Sequence, residues 1–378
     1  MSEEEWERLV TIHRERFLSC IQCGKCTGGC PISLVSKAFN IRHILYDVLN
    51  TEGEDVARSK EFLWNCSACG TCMARCPKSV DPLEMILTLR SVLVEDGEVP
   101  IKVRDVLKSI DIRKNPWGIG KDMRTEWAEG LDVKHIKDAD VLYFVCCTAA
   151  YDKRMQKVPK ALVKVLQKAD INFGTLGIDE VCCGNEIKRL GDIWNAELLM
   201  EKNMENFRKY PIQQIVVTSP HCYNAFKNDY VDLDIDVFHY TQVVDQFIRE
   251  EKIRFSKEFK KKVTFHDPCF LGRHNNIFDE PRTILKSIPG LDYVEFDRCR
   301  ERSLCCEGGG GRMWIEAFDA EERTANIRVR EALDLGVDVI ATACPFCFLT
   351  LEDAVKTGGY ENQLKVMDIM EIVDMVLD

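Results

Sequence analysis

A chain of 378 residues, 46% hydrophobic and 30% charged, has room for two or three domains with a sizeable core. Its net charge of −11, with no basic stripe interleaved with aromatics, argues against a nucleic-acid partner. The longest uncharged apolar run, around residues 141–150, is far too short to cross a bilayer, and the acidic start at Glu3, Glu4 and Glu5 lacks the basic and apolar stretches of a secretory signal, so a cytoplasmic protein is expected.

In that compartment thiols stay reduced, and clustered cysteines point to metal or redox chemistry instead of disulfides. Glu3 to Glu5 read as the solvated start of a helix. From Trp6 to about residue 91 the pattern is helix, cysteine loop, helix, cysteine loop, helix. The two loops carry the same spacing, Cys20-x2-Cys23-x2-Cys26-x3-Cys30-Pro31 and Cys66-x2-Cys69-x2-Cys72-x3-Cys76-Pro77. A thiolate at every third residue wraps one [4Fe-4S] cubane, and the fourth cysteine goes to the other cluster. The expected ligand sets are Cys20, Cys23, Cys26 and Cys76 for one cluster, and Cys66, Cys69, Cys72 and Cys30 for the other. Structural zinc sites take two cysteine pairs, not a triplet with a remote Cys-Pro. Between the loops, Leu34, Ala38, Ile41, Ile44, Leu45 and Val48 recur at helical spacing and predict one apolar face. Asp81-Pro82 predicts a capped helix start that runs through Met85, Ile86, Leu89 and Leu93 toward Gly97.

Residues 98–139 read as an irregular linker, with turn chemistry at Asn115-Pro116-Trp117-Gly118, and with Trp117 and Trp127 packing it onto a domain. Thereafter short apolar strands alternate with helices. Strands are expected at 141–145, 215–218, 263–266 and 339–342, each delivering a cysteine-bearing loop at its carboxyl end, where parallel sheets place their ligands. The domains expected are 1–97, helical with two clusters; 140–255 and 256–378, both α/β; and the linker 98–139.

The second half is an internal repeat. Cys147, Cys182-Cys183-Gly184 and Ser219-Pro220-His221-Cys222 return as Cys269, Cys305-Cys306 and Cys344-Pro345-Phe346-Cys347, at offsets of 122 to 125 residues. Here the sequence resembles the cysteine-rich "CCG" domains of heterodisulfide reductases and related iron-sulfur oxidoreductases. The architecture is similar to a fusion of that enzyme's small and catalytic subunits: α+β and multidomain, with a ferredoxin-like domain followed by duplicated α/β cysteine-rich domains. The resemblance implies that Cys269, Cys305, Cys306, Cys344 and Cys347 bind a noncubane [4Fe-4S] cluster, although Glu307 stands where the family has glycine, ahead of Gly308 to Gly311. Those glycines lack the Lys-Ser/Thr of a phosphate loop and suit close approach of backbone to a cluster. In the first copy Ser219 replaces a thiolate. Cys147, Cys182, Cys183 and Cys222 remain for a further cluster, with His221 as an alternative ligand, or else the copy is a degenerate scaffold whose cysteines fill the core. Cys146 and Cys299 match no motif position and read as incidental thiols. His266, Arg273 and His274 flank Cys269 and are candidate proton donors.

Carried over, the resemblance implies electron passage through two cubanes to a site that reduces a disulfide, such as the mixed disulfide of coenzyme M and coenzyme B. A second reading is a non-catalytic electron-transfer subunit joining a flavoprotein or dehydrogenase to a quinone or another carrier. No flavin or nucleotide motif is present, so a flavin-containing or other electron-donor subunit is expected. A haem- or quinone-binding membrane subunit would hold the protein peripherally at the inner face of the membrane.

Overall fold

The computed structural model describes residues 16–50, 56–57, 61–316 and 318–378. The acidic start lies outside them, as does the part up to residue 15 of the helix expected between Trp6 and the first cysteine loop. Among the described residues no helix is long and apolar enough to cross a membrane.

The first cysteine loop leads into two short helices, Lys25–Gly29 and Pro31–Val35, and then a longer one, Ile41–Asn50. The continuous face expected from Leu34 to Val48 is therefore broken. Leu34 and Ala38 are exposed, while Ile32, Val35 and Phe39 turn inward. Asp319, 283 residues downstream of Ser36, holds the break by accepting from Ser36 Oγ (2.6 Å) and Ala38 N (3.1 Å). Asn40 then restarts the helix by capping His43 N at 3.2 Å. Helix Pro82–Glu95 begins as its sequence predicts, with Asp81 Oδ1 accepting from Glu84 N at 3.1 Å. Its Arg90 is fully buried and ties three regions together. It donates to Leu63 O and Cys66 O nearby, and to Arg189 O and Gly310 O in the two halves of the repeat.

Residues 98–139 are not the irregular linker expected. They contain helix Ile101–Arg113, the 3-10 segment Lys121–Ala128 and strand β1 (Lys134–His135), which pairs in parallel with β3 (Phe173–Thr175). Only Val103, Val106 and Ile110 of that helix are buried, a stripe too thin to register as sustained periodicity. Trp127 packs edge-on against Tyr143, and Trp117 donates its Nε1–H to Thr148 Oγ1 at 3.3 Å.

The remainder forms two parallel sheets. The first runs β1-β3-β2-β4-β5, with β2 Val141–Phe144, β4 Gln214–Val217 and β5 Asp236–His239. The second runs β7-β6-β8-β9, with β6 Lys262–Phe265, β7 Asp292–Tyr293, β8 Val339–Thr342 and β9 Lys365–Asp368. Apart from β1 the two orders coincide, so the repeat in cysteine register is a repeat of fold. Central strands such as β2 and β8 are apolar on both faces because helices cover both sides. The copies pack reciprocally. Helix Lys157–Lys168 of the first lies on Ile369–Val376 of the second, and Tyr240–Arg249 of the first on Asp279–Ser287 of the second. Cys147, Ser219, Cys269 and Cys344 all follow the carboxyl ends of their strands.

Candidate iron-sulfur sites

Cys20, Cys23, Cys26 and Cys76 line one small pocket, together with Gly24, Lys25, Arg42 and Pro77. Cys23 is exposed there. Cys30 is carried away to the second loop, where it neighbours Cys66, Cys69 and Cys72, and all four are buried. Backbone amides already point at these sulfurs: Gln22 N donates to Cys20 Sγ and Ala68 N to Cys66 Sγ, both at 3.4 Å. Burial pushes the Cys66 thiol up to about 11, and burial with mutual repulsion raises Cys30 and Cys72 as well. Four crowded thiols that resist ionisation are a donor set for a cation, and iron within a cluster supplies the positive charge. The residues present fit the group.

In the second cysteine-rich copy the sulfurs form a chain of neighbours, Cys269 to Cys305, Cys305 to Cys306, Cys306 to Cys347 and Cys347 to Cys344. The Cys306 and Cys347 sulfurs lie 3.2 Å apart. Glu307 N and Gly308 N donate back to Cys305 Sγ (3.3 Å) and Cys306 Sγ (3.4 Å). The turn after the cysteine pair is left-handed in both copies, with φ of 85° at Gly184 and 66° at Glu307. Glu307 holds this conformation without glycine because its carboxylate accepts from Arg323 Nε (2.7 Å) and Thr324 N (3.0 Å).

The second cluster loop lies directly on this site. Ser67 Oγ is 3.4 Å from Cys305 Sγ, and the Cys69 and Cys305 thiols are hydrogen-bonding neighbours. Arg273 donates Nε to Cys69 O (2.9 Å) and Nη1 to Ser303 O (2.6 Å), while His274 Nε2 meets Ala68 O at 3.0 Å and its ring stacks on Phe270. Arg273 Nη2 is buried without a partner among the described residues, although the Cys69, Cys269 and Cys305 thiols surround the guanidinium. A buried cation with a spare donor fits an anionic cluster here. Burial lowers His274 to about 3 and, with Arg328 beside it, lowers His266 to about 3. His266 Nδ1 accepts from Arg328 Nε at 3.2 Å and lies close to Cys306 and Cys347. Of the three residues expected as proton donors, Arg273 and His274 bond to carbonyls of the cluster loop, and burial disfavours the charged form of both imidazoles.

The structure supplies a different imidazole. His221 does not turn to the thiols of its own copy but crosses to Cys344 of the other. Its Nδ1 lies 2.6 Å from Glu186 Oε1, the second Glu186 oxygen accepts from Gly311 N (3.1 Å), and Asn185 Nδ2 stands 3.2 Å from the same Nδ1. Burial alone would lower His221, but Glu186 and Cys344 outweigh it and push the imidazole up to about 10. Asn185 and Glu186 immediately follow Cys183-Gly184, and that adjacency is the only sign of them in the sequence. In the first copy Cys147, Cys182, Cys183 and Cys222 are buried neighbours in that order, and Cys146 lies beside Cys222. Arg124, from the segment expected to be a linker, donates to Cys147 Sγ (3.6 Å) and pairs with the buried Glu180.

The chain carries a match to the 4Fe-4S dicluster domain at residues 16–80 and two matches to the cysteine-rich domain, at 141–227 and 263–352. It is 31% identical to the EtfAB:quinone oxidoreductase of Syntrophomonas wolfei over 94% of this chain and 57% of that protein, and so spans little more than half of that relative. It is 30% identical to a subunit of the dihydromethanophenazine:CoB–CoM heterodisulfide reductase of Methanosarcina acetivorans, over 98% of this chain and 96% of the relative. A crystal structure of a hypothetical protein from Helicobacter pylori shares the fold, with a TM-score of 0.58 at 11% identity, over 100% of this chain and 73% of that one.

Proposed function

Because the chain belongs to the family of cysteine-rich-domain iron-sulfur oxidoreductases that includes this heterodisulfide reductase polypeptide, we propose that it carries electrons from a partner chain to a disulfide and reduces it at the second cysteine-rich domain. Cys20, Cys23, Cys26 and Cys76 hold one cubane, Cys30, Cys66, Cys69 and Cys72 a second, and Cys269, Cys305, Cys306, Cys344 and Cys347 a noncubane cluster. When bound, such clusters accept and release electrons one at a time. The observation that carries the reading is the position of Cys305, whose sulfur neighbours both Cys69 of the cluster loop and Cys269 of its own set. The cluster loop and the cysteine-rich site share a boundary with no intervening chain.

The reaction takes two electrons and two protons per disulfide: the S–S bond breaks and two thiols leave. The reductant is a reduced flavin-containing or other electron-donor subunit, which approaches at the exposed Cys23. An open cleft is lined by Glu307, which follows the cysteine pair in the chain, and by Arg312, Trp314, Arg323 and Thr350. Arg312 Nε is buried there without a partner among the described residues and offers a donor to a ligand in the cleft.

A second reading, a relay with no substrate of its own that feeds a quinone through a haem- or quinone-binding membrane partner, is favoured by the likeness to an EtfAB:quinone oxidoreductase. Electron paramagnetic resonance of the oxidised protein with and without candidate thiols separates the two. A thiol-dependent signal supports disulfide chemistry. A spectrum indifferent to thiols, with fast electron exchange to a flavoprotein, supports the relay.

A further inference from the structure

We propose that Cys146 completes a five-thiolate site in the first cysteine-rich domain, standing in for the thiolate that Ser219 lacks, so that this domain binds an iron-sulfur cluster of its own. The chain of sulfurs carries the inference. In the second domain the order of neighbours is 269, 305, 306, 347, 344, and in the first it is 147, 182, 183, 222 and then 146. Four members correspond by the repeat. The fifth place, filled by Cys344 in one domain, is filled in the other by a cysteine from a different strand end, one residue before the first motif cysteine, where the second domain has Pro268.

The backbone at the altered position shows where that sulfur sits. Ser219 N donates to Cys146 Sγ at 3.3 Å, so the foreign thiol lies against the residue whose thiol is missing, while Ser219 Oγ turns away to accept from His221 N at 3.2 Å. Cys146 reaches this place at a conformational cost, with φ 73° and ψ 150°, a region that residues with a Cβ seldom adopt. The Glu180 carboxylate keeps it there by accepting from Val145 N and Cys146 N, each at 3.0 Å.

A cysteine that merely fills core space needs neither a strained backbone nor a charge beside it. This set has Arg124, fully buried, donating to Cys147 Sγ, with its Nε–H unpartnered among the described residues. Glu180 neutralises the guanidinium's single charge but leaves its Nε–H free, a spare donor beside the converging thiols that suits sulfur acceptors. The inference does not depend on what substrate the second domain takes.

The test is iron and acid-labile sulfide content, with Mössbauer spectra, of the full chain purified without oxygen. Cys146→Ser is expected to lose about four irons relative to wild type, and Cys146→Ser combined with Ser219→Cys to regain them. An unchanged iron content in Cys146→Ser overturns the proposal. Should the single variant fail to fold, the double variant decides: wild-type iron content supports the site, and a soluble protein short of about four irons refutes it. In a Cys269→Ser background the signal that remains and then vanishes with Cys146→Ser would belong to the first domain, and its absence there counts against the proposal.

Discussion

The two cysteine-rich domains share strand order, a left-handed turn after the cysteine pair and a string of five neighbouring sulfurs, yet differ in what covers those sulfurs. Over the second lies the cluster loop, with Ser67 and Cys69 against Cys305. Over the first lies the segment 98–139, which brings Arg124 to Cys147, and Lys114, whose carbonyl accepts from Cys182 N at 2.9 Å. One site lies against the cluster loop and the other is roofed by a buried ion pair. The two copies share a fold and differ in the segments packed over their cysteines. His221 and Glu186 show that the first domain also works for the second, since the imidazole it presents beside Cys344 comes from its own altered motif.

The widest separation between the domains should come from their cysteine pairs. Cys306→Ser is expected to lower disulfide turnover at least about 100-fold and to abolish the thiol-dependent paramagnetic signal, whereas Cys183→Ser leaves the signal in place. Equal loss from both would erase the distinction. The contact between cluster loop and second domain is tested by Gly310→Ala. An added Cβ at φ +62° would meet Cys66 O at 2.6 Å and Ser67 C at 2.8 Å, costing on the order of 2–4 kcal/mol of docking. Rapid-mixing reduction of the second-domain cluster should slow several-fold with the cluster content intact. Gly336→Ala, at φ +61° with open space around it, is the control and should leave the rate alone.

Asp368 and His239 sharpen the comparison further, because they close the last strand of their domains and both cap the next helix through a capping box. Both are held neutral by burial, Asp368 raised to about 8 and His239 lowered to about 3. Folded Asp368 keeps a proton that the unfolded chain releases above about pH 4, so its contribution to stability falls as pH rises from about 4 to about 8. For His239 the unfolded chain takes up a proton below about pH 6.5, so stability falls as pH drops from about 6.5 to about 3. Asp368→Asn should raise the melting temperature more at pH 8 than at pH 5, by about 2–4 °C for each kcal/mol. A variant that tracks wild type across that range would remove the assignment. The smallest effect is expected at Glu307→Gly, where relief of the left-handed backbone offsets the lost contacts to Arg323 and Thr324, for a net change within about 1 kcal/mol in a chemical-denaturation measurement.

What is legible in the sequence is what spacing alone specifies. The two cysteine triplets, the Asp81-Pro82 cap and the repeat register are local patterns, and the four central strands are apolar runs that stand out from their flanks. The strands β1, β3, β5, β7 and β9 are short or begin with a charged residue, and they form because a neighbouring strand offers them a ladder. The break at Ser36 escapes because its cause, Asp319, is distant in the chain. Arg124, Glu180 and Glu186 escape for the same reason: a lone charged residue has no pattern until folding brings its partner to it. Cys146 is visible but carries no role in the sequence, since its relation to Ser219 exists only across neighbouring strand ends.

Arg90 ties the stability of this architecture to the charge on one cysteine loop. Among the described residues all its hydrogen bonds go to carbonyls, from Leu63, Cys66, Arg189 and Gly310, and none to a carboxylate. A guanidinium so deep is costly without negative charge nearby, and the Cys66 sulfur, with Glu186 farther off, is what opposes the downward pull of burial on its pKa. That sulfur is an uncharged thiol until iron binds. A cluster held by the Cys66 loop would therefore place negative charge at the point where Arg90 joins the helical domain to both halves of the repeat, and would strengthen that junction.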